Sequence, residues 1–242
     1  MPRILMTGAS GAIGSAAARR MAAAGYSLYL HYNRQREAAR RLEAELSAAF
    51  PKQDFTSVQA DLSCQHGSET LLEQLHFAVD GLVYNCGISE FGLIQDVSDA
   101  SLERNIRLSL ASPYRLIRRL IDPMIQNRAG RIVFISSIWG VTGAANETLY
   151  SMVKGGQNSL VKALAKEVAA SGVTVNAIAP GAIDTPMLDH FNVAERRALE
   201  EEIPAARLGR PEEVAAALVF LLSTDAAYVN GQVIAVNGAW YC

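Results

Sequence analysis

The chain has 242 residues, half of them hydrophobic and 19% charged, with a net charge of -2. Near-neutrality without a basic cluster excludes nucleic acid and an anionic membrane surface as main partners, since both demand concentrated Lys and Arg. Cys64, Cys86 and Cys242 are odd in number and form no C-x-x-C pair, so the sequence points to reduced thiols, with neither a disulfide framework nor a metal site.

Short aliphatic runs alternate with longer helical patterns, the signature of βαβ units and of a parallel sheet buried on both faces. Strands are predicted at 4–7, 27–32, 54–59, 81–85, 131–136, 174–179 and 232–236, with helices at about 12–24, 35–49, 67–76, 99–127, 149–171 and 211–223. Right-handed crossovers turn this order into a doubly wound, seven-stranded parallel sheet with helices on both faces, an α/β Rossmann fold. No Pro/Gly/Ser-rich linker interrupts it, so 1–242 is read as a single domain. Residues 1–130 are assigned mainly to dinucleotide binding, and 131–242 to catalysis and a substrate-facing loop at about 184–206, where periodicity is weak. The longest purely apolar run, 215–222, is far short of a bilayer span, and the expected location is cytoplasmic.

The first strand runs into Thr7-Gly8-Ala9-Ser10-Gly11-Ala12-Ile13-Gly14, which opens directly into a helix. Gly8 allows a sharp turn, the small Ala12 allows close backbone approach, and Gly14 allows tight packing of helix on sheet. The helix N-terminus then faces a pyrophosphate. The second strand ends in His31-Tyr32-Asn33-Arg34, with no carboxylate before Glu37. A carboxylate there selects a free ribose 2′-hydroxyl and a basic group accepts a 2′-phosphate, so NADP(H) is favoured over NAD.

Tyr150 and Lys154 stand at i and i+4 on a predicted helix, which puts phenol and ammonium on one face. A free phenol has a pKa near 10, and a cation about 4 Å away at an effective dielectric of about 20 is worth about 4 kcal/mol. The expectation is therefore a Tyr150 brought down toward neutrality for proton exchange.

Further motifs fall in order at strand ends: Asp61-Leu62, Asn85-Cys86-Gly87, Ile135-Ser136-Ser137, Asn176 through Thr185, and Arg207-Leu208-Gly209-Arg210-Pro211-Glu212-Glu213. With the glycine loop and Tyr150/Lys154, they make the chain resemble the short-chain dehydrogenase/reductase family over essentially its whole length. The resemblance implies that Ser137, thirteen residues before Tyr150, hydrogen-bonds the substrate oxygen. It implies that Tyr150 donates a proton as hydride arrives and that Lys154 holds the nicotinamide ribose hydroxyls. Gly8, Ser10, Gly11, Ala12, Ile13, Gly14, Asn33 and Arg34 are expected around the phosphates and adenosine, with Asp61 and Leu62 at the adenine. Asn85, Cys86 and Gly87 are expected to line the cofactor channel. Pro180, Gly181, Ile183 and Thr185 are expected to hold the carboxamide, through the Ile183 backbone and the Thr185 hydroxyl. Ser136 is read as satisfying local backbone groups.

Two positions depart from the family pattern. Where an Asn commonly supports a water chain leading from the Lys, this chain has Ser109; Asn105 falls one turn too early and is assigned to the surface. Cys86 replaces a usual Ala and is read as packing.

Within the family the chain resembles 3-oxoacyl-acyl-carrier-protein reductases. Ser136-Ser137-Ile138-Trp139-Gly140, Tyr150 through Asn158 and Leu28 through Tyr32 narrow the likeness to reductases that finish the aminopentanone modification of a lysine on translation elongation factor P. Either way the implied substrate is an aliphatic ketone on a carrier or protein side chain. Arg196, Arg197, Arg207 and Arg210 are candidates for a basic rim that would meet an acidic carrier, although Glu195 and Glu200 to Glu202 sit beside them. A cofactor-binding scaffold without catalysis is the alternative class, with Ser109 as its one hint. The family implies a homotetramer packed through helices 99–127 and 149–171; Leu160, Val161, Leu164 and Ala165 form an apolar face that serves either that contact or the chain's own core. The tail Trp240-Tyr241-Cys242 tucks into a neighbouring subunit or covers its own core.

Overall fold

The computed structural model describes residues 2–189 and 191–241; Cys242, at the end of the predicted apolar tail, lies outside the described residues. In chain order the first half comprises β1 (Arg3–Met6), α1 (Ala12–Ala23), β2 (Ser27–Tyr32), α2 (Arg36–Ala49), β3 (Phe55–Gln59), α3 (Gly67–Leu72) and β4 (Gly81–Tyr84). Next come α4 (Asp99–Ile106), a π turn (Arg107–Ala111), α5 (Ser112–Gln126), β5 (Gly130–Ile135) and α6 (Trp139–Thr142). The chain continues with α7 (Thr148–Val168), β6 (Val173–Pro180), α8 (Val193–Glu202), α9 (Pro211–Leu222) and β7 (Val233–Val236).

All seven strands pair in parallel in the order β3-β2-β1-β4-β5-β6-β7, and each agrees with its predicted span to within one residue at either end. The reversal of direction between β1 and β4 is the switch point where such sheets bind ligands, beyond their C-terminal ends. Alternation along the strands feeds two cores. Ile4, Met6, Leu28 and Leu30 pack under α1, α2 and α9, while Leu5, Tyr29, Leu82 and Tyr84 pack under α3, α5 and α7. β2, β4 and β6 are buried at every position, as strands covered on both faces must be, whereas β7 at the edge is only half-buried.

Three sequence expectations are corrected, and the α7 face left open between a subunit contact and the chain's own core is located. The stretch 184–206 contains a helix, α8, whose composition is too polar to show a period. It is held at its start by a capping box in which Asn192 Oδ1 accepts the N–H groups of Ala194 (2.9 Å) and Glu195 (3.0 Å), while Glu195 accepts the Asn192 N–H. The predicted helix 99–127 is interrupted by the π turn. The apolar face of α7 is spent inside the molecule, since Val161 and Ala165 belong to the second core and Leu160 and Leu164 pack against it. Asn105 is buried, with its amide on Glu90 Oε2 (3.2 Å) and the Ser101 carbonyl (3.2 Å).

Candidate active site

The glycine loop is built by steric necessity. Gly8 adopts φ +64°, a conformation that L side chains rarely take, and its carbonyl accepts the Gly11 N–H at 3.2 Å. Gly11 caps α1 without a side-chain acceptor, and the first turn of α1 carries no acidic residue, so its N–H groups stay open to an anion.

Beneath the loop lies His31, which the sequence reading gave no role. Its Nδ1 accepts the Gly8 N–H at 3.2 Å and its Nε2 lies 3.0 Å from the Ala60 carbonyl, an arrangement that suits a neutral ring donating from Nε2. Burial pushes its pKa down to about 4, against a smaller opposing effect of that carbonyl. Asn85 Nδ2 braces the Gly8 carbonyl at 3.1 Å, and Thr7 Oγ1 accepts the Asn85 N–H at 2.9 Å.

Ser10, Ala12 and Ile13 complete the loop and first turn, and Asn33 and exposed Arg34 follow the end of β2. Arg34 pairs with no carboxylate among the described residues. Asp61 sits after β3 with Oδ1 on the Ser63 N–H (2.9 Å) and hydroxyl (2.6 Å). Partial burial opposes its charge, but those two bonds prevail and hold it below the usual carboxylate range. Leu62 is buried, and its carbonyl accepts the Ser112 hydroxyl at 2.7 Å.

The second half of the sheet brings Ser137, Tyr150 and Lys154 together. Ser137 follows β5, its hydroxyl accepts the Trp139 N–H at 3.2 Å, and it hydrogen-bonds the Tyr150 phenol. Lys154 is buried, with Nζ donating to the Ile135 carbonyl (2.7 Å) and to Gln157 Oε1 (3.3 Å), and lying 5.6 Å from the centre of the Tyr150 ring. Burial brings the ammonium down to about 8, offset in part by the Cys86 thiol. Gly87 passes so close that a Cβ there would lie 3.3 Å from Nζ.

The expectation of a lowered Tyr150 pKa is corrected: burial, then the Glu147 carboxylate, push the phenol up to about 12, against the Ser137 bond. The lysine points its donors at a backbone carbonyl and an amide, leaving the phenol without the close cation assumed from spacing alone.

Ser136 bonds a side chain more closely than backbone. Its hydroxyl donates to Asn158 Oδ1 at 2.7 Å, and Asn158 Nδ2 donates to the Gly140 carbonyl at 2.9 Å, tying α7 to the loop that carries Ser137. Gln157 and Asn158 are adjacent buried amides on an otherwise apolar helix face, one turn past Lys154, and that pattern was the available signal for them. Ser109 lies in the π turn; its carbonyl accepts from Gln157 Nε2 at 2.8 Å, and its hydroxyl is buried without a partner among the described residues.

At the end of β6, the Pro180 carbonyl accepts the Ile138 N–H (3.1 Å), and the Gly181 N–H that follows donates to the Val236 carbonyl (3.0 Å). Ile183 is buried and bridged to Gly209, and Thr185 follows on the way to α8.

A carboxylate, Glu147, acts on Tyr150. Glu147 accepts the Ser89 hydroxyl at 2.7 Å, and Glu90 holds Ser101 and Asn105. The arginines expected as a basic rim are engaged within the chain: Arg196 with Asp184 (2.6 Å), Arg197 with Glu201 (3.3 Å), Arg207 with Glu213 (2.6 Å), and Arg210 with Glu213 (3.8 Å). The tail folds back on its own chain, with Trp240 and Tyr241 packed on Trp139 at centroid distances of 5.3 and 5.5 Å. No group of three His, Cys, Asp or Glu side chains suited to a metal ion occurs among the described residues.

Comparison with known proteins places this geometry in context. The family model described as enoyl-(acyl carrier protein) reductase matches residues 8–240. The chain is 50% identical over 238 residues to the uncharacterized oxidoreductase YmfI of Bacillus subtilis, covering 98% of each chain. It is 40% identical over 242 residues to the 3-oxoacyl-[acyl-carrier-protein] reductase FabG of Aggregatibacter actinomycetemcomitans, covering 97% of each. Among solved structures, the fold matches YwfH, described as an NADPH-dependent reductase involved in bacilysin biosynthesis, with a TM-score of 0.92 at 24% identity over 99% of this chain and 98% of that one.

Proposed function

The chain belongs to the short-chain dehydrogenase/reductase family as an oxidoreductase similar to 3-oxoacyl-acyl-carrier-protein reductases, and we propose that it is an NADPH-dependent ketone reductase acting on a cationic, protein-borne substrate. The observation that carries the reductase reading is the meeting of Ser137, Tyr150 and Lys154 at the C-terminal ends of the strands, facing the glycine loop.

The residues fit a nicotinamide dinucleotide: the uncapped α1 N-terminus and the turn at Gly8 form a cradle for its pyrophosphate, and Arg34, paired with no carboxylate among the described residues, suits a 2′-phosphate. When bound, the dinucleotide supplies the hydride. Tyr150 carries its proton throughout the neutral range, because its pKa stands near 12, and so is charged with the proton that a ketone oxygen must receive. Ser137 orients that oxygen. As negative charge develops on the phenol, the buried Lys154 ammonium becomes a stabilising partner in a low-dielectric pocket. Lys154 also has a third donor directed at neither Ile135 nor Gln157, which suits the ribose hydroxyls.

The substrate reading is 5-aminopentanone on elongation factor P. Its support is electrostatic: the Glu147 carboxylate acts on the Tyr150 phenol, where an amine-bearing ketone is attracted, while the arginines that would greet an acidic acyl carrier are paired internally. We propose further that the protein is a cytoplasmic homotetramer; Tyr114 on α5 and Met152 on α7 are each at least half exposed, as a contact through those helices requires. No helix among the described residues is long and apolar enough to cross a membrane.

The test follows NADPH and NADH oxidation in parallel with an acetoacetyl thioester, a crotonyl thioester and aminopentanone-modified elongation factor P. Rapid NADPH-linked reduction on the factor without thioester turnover supports the proposal. Thioester turnover alone returns the protein to the acyl-carrier readings, and cofactor binding without any turnover supports the scaffold alternative.

A further inference from the structure

The long helix pair α4–α5 is broken at the π turn for a reason written in the sequence. In α geometry the Ser109 carbonyl would accept the N–H of residue 113, but residue 113 is proline and has none. The Ser112 N–H is given to the Arg107 carbonyl, one residue farther back than α geometry. The carbonyls of Leu108 and Ser109 then accept from side chains, the first from the Tyr84 hydroxyl and the second from Gln157 Nε2 at 2.8 Å. A buried amide must place both its donor and its acceptor, and the other end of Gln157 accepts from Lys154 Nζ at 3.3 Å.

We propose that Gln157 is the positioning residue for Lys154: its amide bridges the ammonium directly to the π-turn carbonyl of Ser109 and so fixes the direction of the remaining lysine donor. As a role in catalysis this rests on the ketone-reductase reading above. Gln157 touches neither Tyr150 nor Ser137 and acts through the lysine alone.

The surroundings of Lys154 make this contact readable. It faces the Cys86 thiol and the Gly87 backbone after β4, the Ile135 carbonyl of β5 and the Tyr150 ring on its own helix. His31 stands behind Cys86 with its ring 3.8 Å from the sulfur, and Glu147 and Ser137 lie beyond the phenol. Cys86 is pushed up to about 11 and His31 down to about 4, so neither changes charge while Lys154 titrates near 8. An amide oxygen favours the ammonium, a methyl thioether does not, and a carboxylate favours it more strongly.

The experiment follows Lys154 by NMR in the unliganded protein labelled with 13C at lysine Cε, where the only other lysines are the exposed Lys52, Lys162 and Lys166. Gln157→Met should move the Lys154 midpoint down by about one pH unit, and Gln157→Glu should move it up. The alkaline limb of kcat with NADPH and ketone should follow in the same two directions, with kcat in Gln157→Met falling about tenfold or more. Unmoved midpoints in both variants overturn the proposal. If Gln157→Met does not fold, the near-isosteric Gln157→Glu decides alone. Midpoints that move in the two variants, when the wild-type protein reduces no ketone, keep the contact and remove only the reductase reading.

Discussion

A Cβ on Gly14 would stand 2.1 Å from the carbonyl oxygen of Gly8 and 2.9 Å from the Ala9 Cα, so α1 and the loop that precedes it are in backbone contact. No flexible side chain is available to yield there. Gly14→Ala is expected to cost about 2–3 kcal/mol, the scale of overpacking a rigid site, and to weaken NADPH binding. Thermal unfolding and cofactor titration check this; a variant as stable as wild type with equal affinity would show that the loop moves more freely than its contacts imply.

Tyr150→Phe should keep NADPH binding and lose ketone reduction by about a thousandfold, because the ring still packs while the proton is gone. Fluorescence titration and steady-state rates separate the two. Turnover near the wild-type rate would remove Tyr150 as proton donor.

Replacing Arg34 by Glu should raise the Kd for NADPH by about tenfold or more while leaving NADH little changed or improved, since the substitution exchanges a phosphate partner for a ribose hydroxyl partner. Equal losses for the two cofactors would mean that Arg34 does not read the 2′-phosphate.

His31 couples the glycine loop to pH. Its pKa in the folded chain is about 4, against an ordinary value near 6.5, so the unfolded chain binds the extra proton first as pH falls. The stability it contributes is complete above about pH 6.5 and is lost progressively toward pH 4, up to about 3 kcal/mol for a shift of this size. Chemical denaturation at pH 7 and pH 5 should show this loss in wild type and a smaller one in His31→Gln. The same pH dependence in both would place the effect elsewhere.

The sheet was legible because it is buried on both faces: runs such as Ser27–Tyr32, buried at all six positions, leave one structural reading. α8 was not, because a helix in which Glu and Arg outnumber the scattered Val193, Ala194, Ala198 and Leu199 is defined by its Asn192 cap and its Arg196–Asp184 pair rather than by an apolar stripe. Asn105 was misplaced on the surface because its partner, Glu90, comes from a loop fifteen residues earlier that local periodicity does not see. The pairing of Tyr150 with Lys154 was visible in spacing, but the lysine's orientation depends on Ile135 and Gln157, and the upward shift of the phenol comes from its burial and from Glu147, neither of which the spacing shows. His31 reaches Gly8 across twenty-three residues of chain, a contact with no trace in the local pattern.

The strand order β3-β2-β1-β4-β5-β6-β7 also sets a schedule for synthesis. β2 finds β1 already made, β3 finds β2, β4 returns to the free side of β1, and each later strand adds beside the one before it. After β1, no strand emerges from the ribosome ahead of a partner, which shortens the time an unpaired edge is open to a neighbouring chain. The cradle around Gly8 is thus completed by β4 and Asn85 while Ser137, Tyr150 and Lys154 are still to be translated.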